Sequence, residues 1–213
     1  LLGTQMKATG EVMGIGSNLE ECLLKSVRSL EIGASHLHLE KFDDKTDEEL
    51  IGYISEFRDD NIFAMTELLR RGISVEKLHQ VTMITPYFIE AVKHVTDMEK
   101  ALASAPGDAE MLRKAKAMGF TDRYIAKLWD MKEMDIYRQR QGLDIRPSYR
   151  MVDTFHTGAY IPYFYSSYSG ENDSQLSDKK KIVVLGAGPI RIGQGVEFDY
   201  STVHAVMTIR QAG

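Results

Sequence analysis

Residues 17–141 repeat apolar side chains at three- and four-residue spacing, and capping or helix-breaking residues separate the repeats. The first repeat consists of Leu19, Leu23, Val27 and Leu30. Such spacing places the apolar side chains on one face of an α-helix, which has 3.6 residues per turn. The pattern therefore predicts a mainly α fold in which several short helices pack their apolar faces together.

Local signals set the expected bounds of these helices. Ser17 and Glu20 have the spacing of a capping box for the first helix, and Gly33 can end it. Thr46 is expected to cap a second helix that extends to about Phe57, with Phe57 on its apolar face. Further helices are expected at 61–71, 74–82, 86–105, 109–118, 121–129 and 132–141, and the apolar stripe of the longest includes Phe88.

Composition limits the function classes. The 213 residues are 43% hydrophobic and 27% charged, as in ordinary globular proteins, and the net charge of -5 argues against a chain devoted to nucleic-acid binding. The single cysteine, Cys22, excludes an internal disulfide framework and is interpreted as a small core residue. No apolar run approaches the roughly 18 residues of a membrane span, and residues 1–9 lack a signal-peptide pattern. We therefore expect a cytoplasmic protein and, because the chain starts with Leu1, an excised or engineered fragment.

Two groups of residues could in principle bind a metal. Residues 40–60 hold nine acids and three bases, but they lack the glycine and the ligand spacing of a calcium loop. His36 and His38 flank Leu37, and no carboxylate or cysteine at ligand spacing completes a site. We interpret the acids as a solvated helix face and the histidines as structural or exposed. We predict no metal, cofactor-binding or catalytic residue in this chain.

Residues 119–140 resemble a helix-turn-helix that binds DNA. Ten bases and five acids lie between Arg113 and Arg150, which gives this segment a local positive charge. However, Asp130, Glu133 and Asp135 would lie around the turn, where phosphates approach. A small helical bundle explains the pattern without a partner. A helical DNA-binding regulator is kept as the alternative function.

The character of the sequence changes after Gly142. Residues 149–153 and 160–168 are rich in aromatic and β-branched residues, which favours extended segments, and Pro162 is typical of an edge or irregular strand. Residues 169–178 are polar and are interpreted as a linker. This divides the chain into a helical domain at 17–168, the linker, and a separate region at 179–213.

A glycine-rich run follows the linker. The residues Ile182–Leu185 are expected to form a strand that leads into Gly186-Ala187-Gly188, as in dinucleotide-binding turns. However, Arg191 stands where the third glycine of that fingerprint belongs, and Pro189 removes a backbone donor. The chain ends 13 residues after Tyr200, before a second strand could follow. The residues alone leave open a truncated dinucleotide-binding turn and a tight structural turn that presents Glu197.

Two anchor segments resemble the carbamoyl-phosphate synthase large-chain family. GPIRIGQGVEFDYSTVHA (188–205) is similar to the start of the second synthetase half, and MKATGEVMGIG (6–16) to the end of the first ATP-grasp unit. Between them RSLEIGA, RRGISVE and GFTDRYIAKL are similar to segments of the family's oligomerisation domain. The resemblance implies four parts: residues 1–16 of the first ATP-grasp unit, the oligomerisation domain at 17–168, the linker 169–178, and a truncated βα unit of the Rossmann-like pre-ATP-grasp domain at 179–213.

The resemblance also implies a function. The complete family enzyme makes carbamoyl phosphate for pyrimidine and arginine synthesis from bicarbonate, glutamine-derived ammonia and two ATP. It uses Mg or Mn and a glutaminase small subunit. The ATP and metal ligands of the family belong to ATP-grasp cores that this chain lacks. The chain is therefore expected to be inactive alone, to connect the two halves, and to associate with the rest of the large chain and with other copies of itself, without a nucleic acid or membrane partner.

Three positions match residues associated with the family's carbamate tunnel. These are Glu11, Gly195 and Glu197. A glycine leaves space in a passage that a side chain would fill, and a glutamate can hydrogen-bond a polar intermediate there. Outside the tunnel, the apolar residues at 183–185 and Val206 are expected to pack on the helical domain or on another copy.

Overall fold

The structure is a computed structural model that describes residues 12–152, 158–160, 162–186 and 197–212, with the backbone alone at 197–199. The chain divides into two compact units. One comprises residues 14–174, and the other comprises residues 1–13 and 175–213. The first is called the helical unit below and the second the terminal unit.

The helical unit contains eight α-helices and one two-stranded sheet within the described residues. The helices are α1 Leu19–Ser29, α2 Asp47–Ile54, α3 Asn61–Arg70, α4 Val75–Thr82, α5 Pro86–Ser104, α6 Ala109–Ala117, α7 Asp122–Leu128 and α8 Glu133–Gly142, with a 3₁₀ turn at Glu40–Phe42. The strands β1 (Ser148–Met151) and β2 (Phe164–Ser167) pair antiparallel, with Ser148 opposite Ser167. The predicted mainly α fold is confirmed.

The hydrophobic core is centred on α5, the longest helix. Its residues Ile89, Val92, Val95 and Leu102 are buried at the three- and four-residue spacing predicted from the sequence. Each fully buried side chain of this size contributes about 1.5–3 kcal/mol through removal of apolar surface from water. The largest fully buried side chains come from all parts of the unit: Phe42, Phe120, Leu24, Leu37, Leu50, Leu68, Leu78, Ile89, Leu102, Leu112, Ile125 and Ile136.

The start of α1 differs from the predicted capping box at Ser17 and Glu20. Asn18 is the N-cap, and its side chain accepts a hydrogen bond from Glu21 N at 2.8 Å. Glu21, one position later than predicted, accepts the Ser17 N–H at 2.7 Å. Glu20 instead contacts His94 of α5. The capping-box prediction was wrong because asparagine caps as well as serine does, and the tertiary contact with His94 takes Glu20 away.

Three further predictions on the helices were wrong. The helix α1 ends at Ser29 rather than Gly33, since Glu31 already adopts a left-handed φ of 56°. Phe57 lies beyond the end of α2 and is 98% exposed. Phe88 lies in α5 but is 52% exposed, because the first turn of that helix extends past the core.

In the terminal unit the described residues form one helix, α9 (Glu197–Gln211). Residues 181–186 adopt no regular secondary structure, so the strand predicted at Ile182–Leu185 is not formed. A strand needs backbone partners on a neighbouring strand, and the described residues of this unit supply none. The glycine-rich segment nevertheless approaches α9, since a Cβ at Gly186 would lie 3.2 Å from Thr202 Oγ1.

Candidate functional site

The three residues of the predicted carbamate passage lie at the limits of the described structure. Glu11 and Gly195 are outside the described residues, and Glu197 is the first residue of α9, described for its backbone alone. The structure therefore does not describe the surroundings of these three residues, and their role stays a prediction.

One exposed apolar area of the helical unit lies at the corner between α4 and α5. It consists of Met83, Ile84, Tyr87 and Phe88, and it is called the corner surface below. Met83 is 75% exposed and Tyr87 is 64% exposed. Exposed apolar residues that cluster in this way are typical of protein interaction sites.

The local sequence explains why the corner projects its apolar residues. Met83 ends α4 in the left-handed conformation with a φ of 59°, and Pro86 starts α5 at its first position. Proline is tolerated there because the first helical N–H has no partner within the helix. His79 Nδ1 lies 2.7 Å from the carbonyl oxygen of Ile84, which fixes the connection between the helices. The corner is thus a defined turn rather than an unstructured loop.

An apolar groove continues from the corner surface. It has a volume of about 160 Å³ and lies between α1, α3 and α5. Its lining side chains are all apolar: Leu23, Ile62, Met65, Ile84, Phe88 and Val92. The ring of Phe88 also meets that of Tyr87 edge-on, with 5.4 Å between centroids. The corner and the groove together offer a continuous surface that an apolar partner could cover.

Sequence reasoning missed this surface. It placed Phe88 in the core and did not single out Met83 or Tyr87. A usable signal was present, because residues 81–88 carry no charge around the proline that starts α5. A charge-free apolar run at a helix boundary is unusual for a solvated turn.

A buried ion network fixes α5 against α3 and the loop after α1. Arg70 donates two hydrogen bonds to the Glu99 carboxylate, at 2.7 and 2.9 Å. His36 Nε2 lies 2.8 Å from the same carboxylate, and the His36 ring stacks on Tyr124 with 3.6 Å between centroids. Burial would raise the pKa of Glu99, but the hydrogen bonds from Arg70 and His36 outweigh burial and bring the pKa to about 2.

A second buried network joins α6, α7 and α8. The Asp122 carboxylate accepts from Lys116 Nζ at 2.6 Å and from Arg140 Nε at 2.6 Å. These two bases belong to the positive segment on which the DNA-binding alternative rests. Both point inward, where the phosphates of a DNA duplex do not reach, and Ile125, Trp129 and Ile136 of the same segment are buried while Leu128 is half-buried. The DNA-binding alternative stays a hypothesis.

The described residues contain no group of three His, Cys, Asp or Glu side chains placed to hold a metal ion. His38 pairs with Asp43 at 2.9 Å, and burial raises the pKa of the half-buried Cys22 thiol. The sequence expectation of no metal, cofactor or catalytic residue stays a prediction.

Within the described residues, no helix combines the length and the apolar character needed to cross a bilayer.

A family model described as "Carbamoyl-phosphate synthetase large chain, oligomerisation domain" matches residues 11–144. A second, described as "Carbamoyl phosphate synthase preATP-grasp domain", matches residues 178–213. The chain belongs to the carbamoyl-phosphate synthase large-chain family, a family of ligases, and the resemblance stated from the sequence is confirmed.

Proposed function

We propose that this chain is the non-catalytic centre of a carbamoyl-phosphate synthase large chain, and that its helical unit mediates self-association. The order of the two family matches supports the proposal, because the oligomerisation domain precedes the pre-ATP-grasp domain as expected for a connecting segment. The polar stretch 169–178 is assigned as the linker, although residues 169–174 belong to the helical unit.

The corner surface is the observation that carries the self-association. A two-fold interface places the same surface patch of the two copies against each other, so a patch with charges of one sign would repel itself there. The four residues of the corner surface are uncharged, and the groove beside them is lined by apolar side chains alone. A second copy of this chain is therefore the occupant we assign to the corner surface.

The complete enzyme would supply the chemistry. In it, bicarbonate, glutamine-derived ammonia and two ATP yield carbamoyl phosphate for pyrimidine and arginine synthesis, with Mg or Mn, in the cytoplasm. A glutaminase small subunit provides the ammonia. Glu11, Gly195 and Glu197 would border the carbamate passage between the halves. Family membership supports these assignments.

Sedimentation equilibrium of matched variants tests the association. Phe88 and Met134 are 52% and 54% exposed, but Met134 lies on α8, away from the corner. We expect the parent chain and Met134→Glu to show a mass that rises with concentration. Phe88→Glu buries a charge in the interface and should weaken the dimer at least 30-fold, as for loss of an interface anchor worth about 2 kcal/mol.

Two outcomes would overturn the proposal. Equal dissociation constants for Phe88→Glu and the parent chain would remove the corner surface from the interface. Synthesis of carbamoyl phosphate by the purified 213-residue chain would show that this segment is catalytic. Circular dichroism of both variants should match the parent, which separates lost association from lost folding.

A further inference from the structure

A small cavity lies where α1, the α6–α7 turn and β2 meet. Its volume is about 120 Å³. We call it the junction cavity, and its lining includes Glu21, Lys25, Arg28, Lys116, Gly119 and Ser166. The turn approaches α1 closely, since Gly119 has a φ of 89° and a Cβ there would lie 3.0 Å from the Cα of Glu21.

The lining of the junction cavity carries an excess of positive charge. Lys25, Arg28 and Lys116 contribute three cations, and Glu21 is the single carboxylate among the lining residues. Lys116 is 5% exposed, so its charge lies well inside the protein. Buried charges are costly unless an opposite charge is close.

Two of the three cations, Lys25 and Lys116, each have a carbonyl oxygen and a carboxylate as partners. Lys116 Nζ donates to the carbonyl oxygen of Phe120 at 2.8 Å and to Asp122 at 2.6 Å. Lys25 Nζ donates to the carbonyl oxygen of Ile15 at 2.7 Å and pairs with Glu21 at 3.0 Å. These contacts account for both ammonium groups.

Arg28 is the exception. Its Nη1 donates to the carbonyl oxygen of Gly119 at 3.0 Å, and no carboxylate among the described residues lies within 4.0 Å of its guanidinium. A guanidinium has five N–H donors, so most of those of Arg28 have no protein acceptor among the described residues, although the side chain is half-buried. Burial lowers the pKa of Arg28, and the more distant Glu21 opposes this.

The carboxylate of Glu21 is engaged elsewhere. Its Oε2 accepts from Ser17 N at 2.7 Å and from Ser167 Oγ at 3.0 Å, and its Oε1 pairs with Lys25. Glu21 therefore neither neutralises Arg28 directly nor directs a free oxygen at an incoming anion. Arg28 and Lys116 also repel each other, and this repulsion adds to the larger effect of burial, which lowers the pKa of Lys116 against the opposing influence of Asp122.

We propose that the junction cavity binds a small oxyanion, of the size of phosphate, sulfate or bicarbonate, through the free donors of Arg28. A planar guanidinium matches two oxygens of such an anion with parallel hydrogen bonds. Lys25 and Lys116 supply further positive potential. One water occupies about 30 Å³ in the liquid, so about 120 Å³ accommodates an anion of four or five heavy atoms.

Anion binding there would tie the β-hairpin to the helices. Lys25 Nζ also donates to the carbonyl oxygen of Ser166 in β2 at 2.5 Å, and Lys116 Nζ lies 4.5 Å from the ring centroid of Tyr168. An anion held between Arg28 and these lysines would neutralise the repulsion across the junction. The site is independent of the corner surface and of self-association.

Thermal unfolding of the 213-residue chain tests the site. Inorganic phosphate should replace chloride from 0 to about 10 mM at constant ionic strength, with sulfate and bicarbonate in parallel series. We expect at least one of the anions to raise Tm by about 4 °C with saturation, as for a ligand that binds the native state alone. Arg28→Met should abolish the saturable rise, whereas Arg138→Met, which removes a 73% exposed side chain, should keep it.

A second variant and a direct measurement of anion binding keep the test valid if Arg28→Met does not fold. If Arg28→Met does not fold, Lys25→Met should reduce the affinity at least threefold, because Lys25 adds positive potential without direct bonding. Line broadening of the phosphate ³¹P resonance by the parent chain provides direct detection if phosphate is the preferred anion. General stabilisation by excluded anions does not saturate and would be equal in parent and Arg28→Met. Equal responses, or none to any of the three anions, would overturn the proposal.

Discussion

Leucines of the helical unit and of the terminal unit can lie in opposite environments. In the helical unit Leu24 is 0% exposed, packed within a core that spans all eight helices. In the terminal unit Leu185 is 91% exposed and Val183 is 80% exposed. The contrast teaches that an apolar side chain stabilises a fold only where neighbouring elements can cover it.

The two units also differ in how their backbone is satisfied. A helix pairs its own N–H and C=O groups, so the backbone of α9 needs no neighbouring strand to satisfy it. A strand requires a partner, and residues 181–186 have none among the described residues. Hydrogen bonding within the element therefore explains why α9 is present and the strand expected at Ile182–Leu185 is not.

Matched truncations of leucine should give the largest effect. Leu24→Ala removes a fully buried side chain and is expected to lower the free energy of unfolding by 2–5 kcal/mol, as is typical of such cavities. Leu185→Ala should change it by less than about 0.5 kcal/mol. Urea unfolding followed by the fluorescence of Trp129, the sole tryptophan, reports on the helical unit, where its Nε1 donates to the carbonyl oxygen of Leu102 at 2.7 Å.

The comparison between the units would fail if both leucine variants were equally destabilised. That result would mean that Leu185 is covered in solution, in agreement with the sequence expectation that residues 183–185 and Val206 pack on the helical domain or on another copy. Repeating the Leu185→Ala measurement at several protein concentrations would distinguish packing on the helical domain from packing on another copy, because association makes stability depend on concentration.

Acid should destabilise the helical unit through Glu99. Its pKa of about 2 lies below the ordinary 4.5, so the unfolded state takes up the proton first as the pH falls. The stabilisation is complete above about pH 4.5 and is lost as the pH falls towards 2, with a total of about 3 kcal/mol. Burial also lowers the pKa of His36 from 6.5 despite Glu99, which adds to destabilisation below pH 6.5.

Unfolding of Glu99→Gln and the parent at several pH values measures this effect. The variant should be less stable at pH 7, since Arg70 and His36 lose a charged partner, and its stability should vary less between pH 5 and 2. Glu56→Gln removes a carboxylate from an exposed pair with Arg58 and is the matched control. An unchanged acid profile in Glu99→Gln would assign acid sensitivity to other carboxylates.

Sequence periodicity predicted most of the helical unit. The predicted cap at Thr46 is found, and the helices expected at 61–71, 74–82 and 86–105 begin and end within one residue of those bounds. These features depend on residues three or four positions apart, which a sequence displays directly.

Long-range contacts could not be predicted in this way. Glu99 meets His36 across 63 positions and Arg28 meets Gly119 across 91, and no spacing rule pairs them. The exposure of Phe88 depended on where the first turn of α5 leaves the core. The sequence therefore predicted the elements, whereas the corner surface and the junction cavity arose from how the elements pack.

Two threonine substitutions should give the smallest effect and sharpen the contrast between the units. Thr46 accepts from Glu49 N at 3.2 Å, and the Glu49 carboxylate accepts the Thr46 N–H at 2.7 Å in a complete capping box. Thr46→Ala should therefore lower the free energy of unfolding by about 1 kcal/mol.

Thr208 of α9 instead donates to the carbonyl oxygen of His204, one turn earlier in its own helix. Thr208→Ala should leave the Trp129 transition unchanged and increase the helical circular dichroism slightly, because alanine is the better helix former and the hydroxyl no longer competes for the backbone. A loss of Trp129-monitored stability in Thr208→Ala would show that α9 and the helical unit unfold as one, and the two units would then have to be treated as a single cooperative structure.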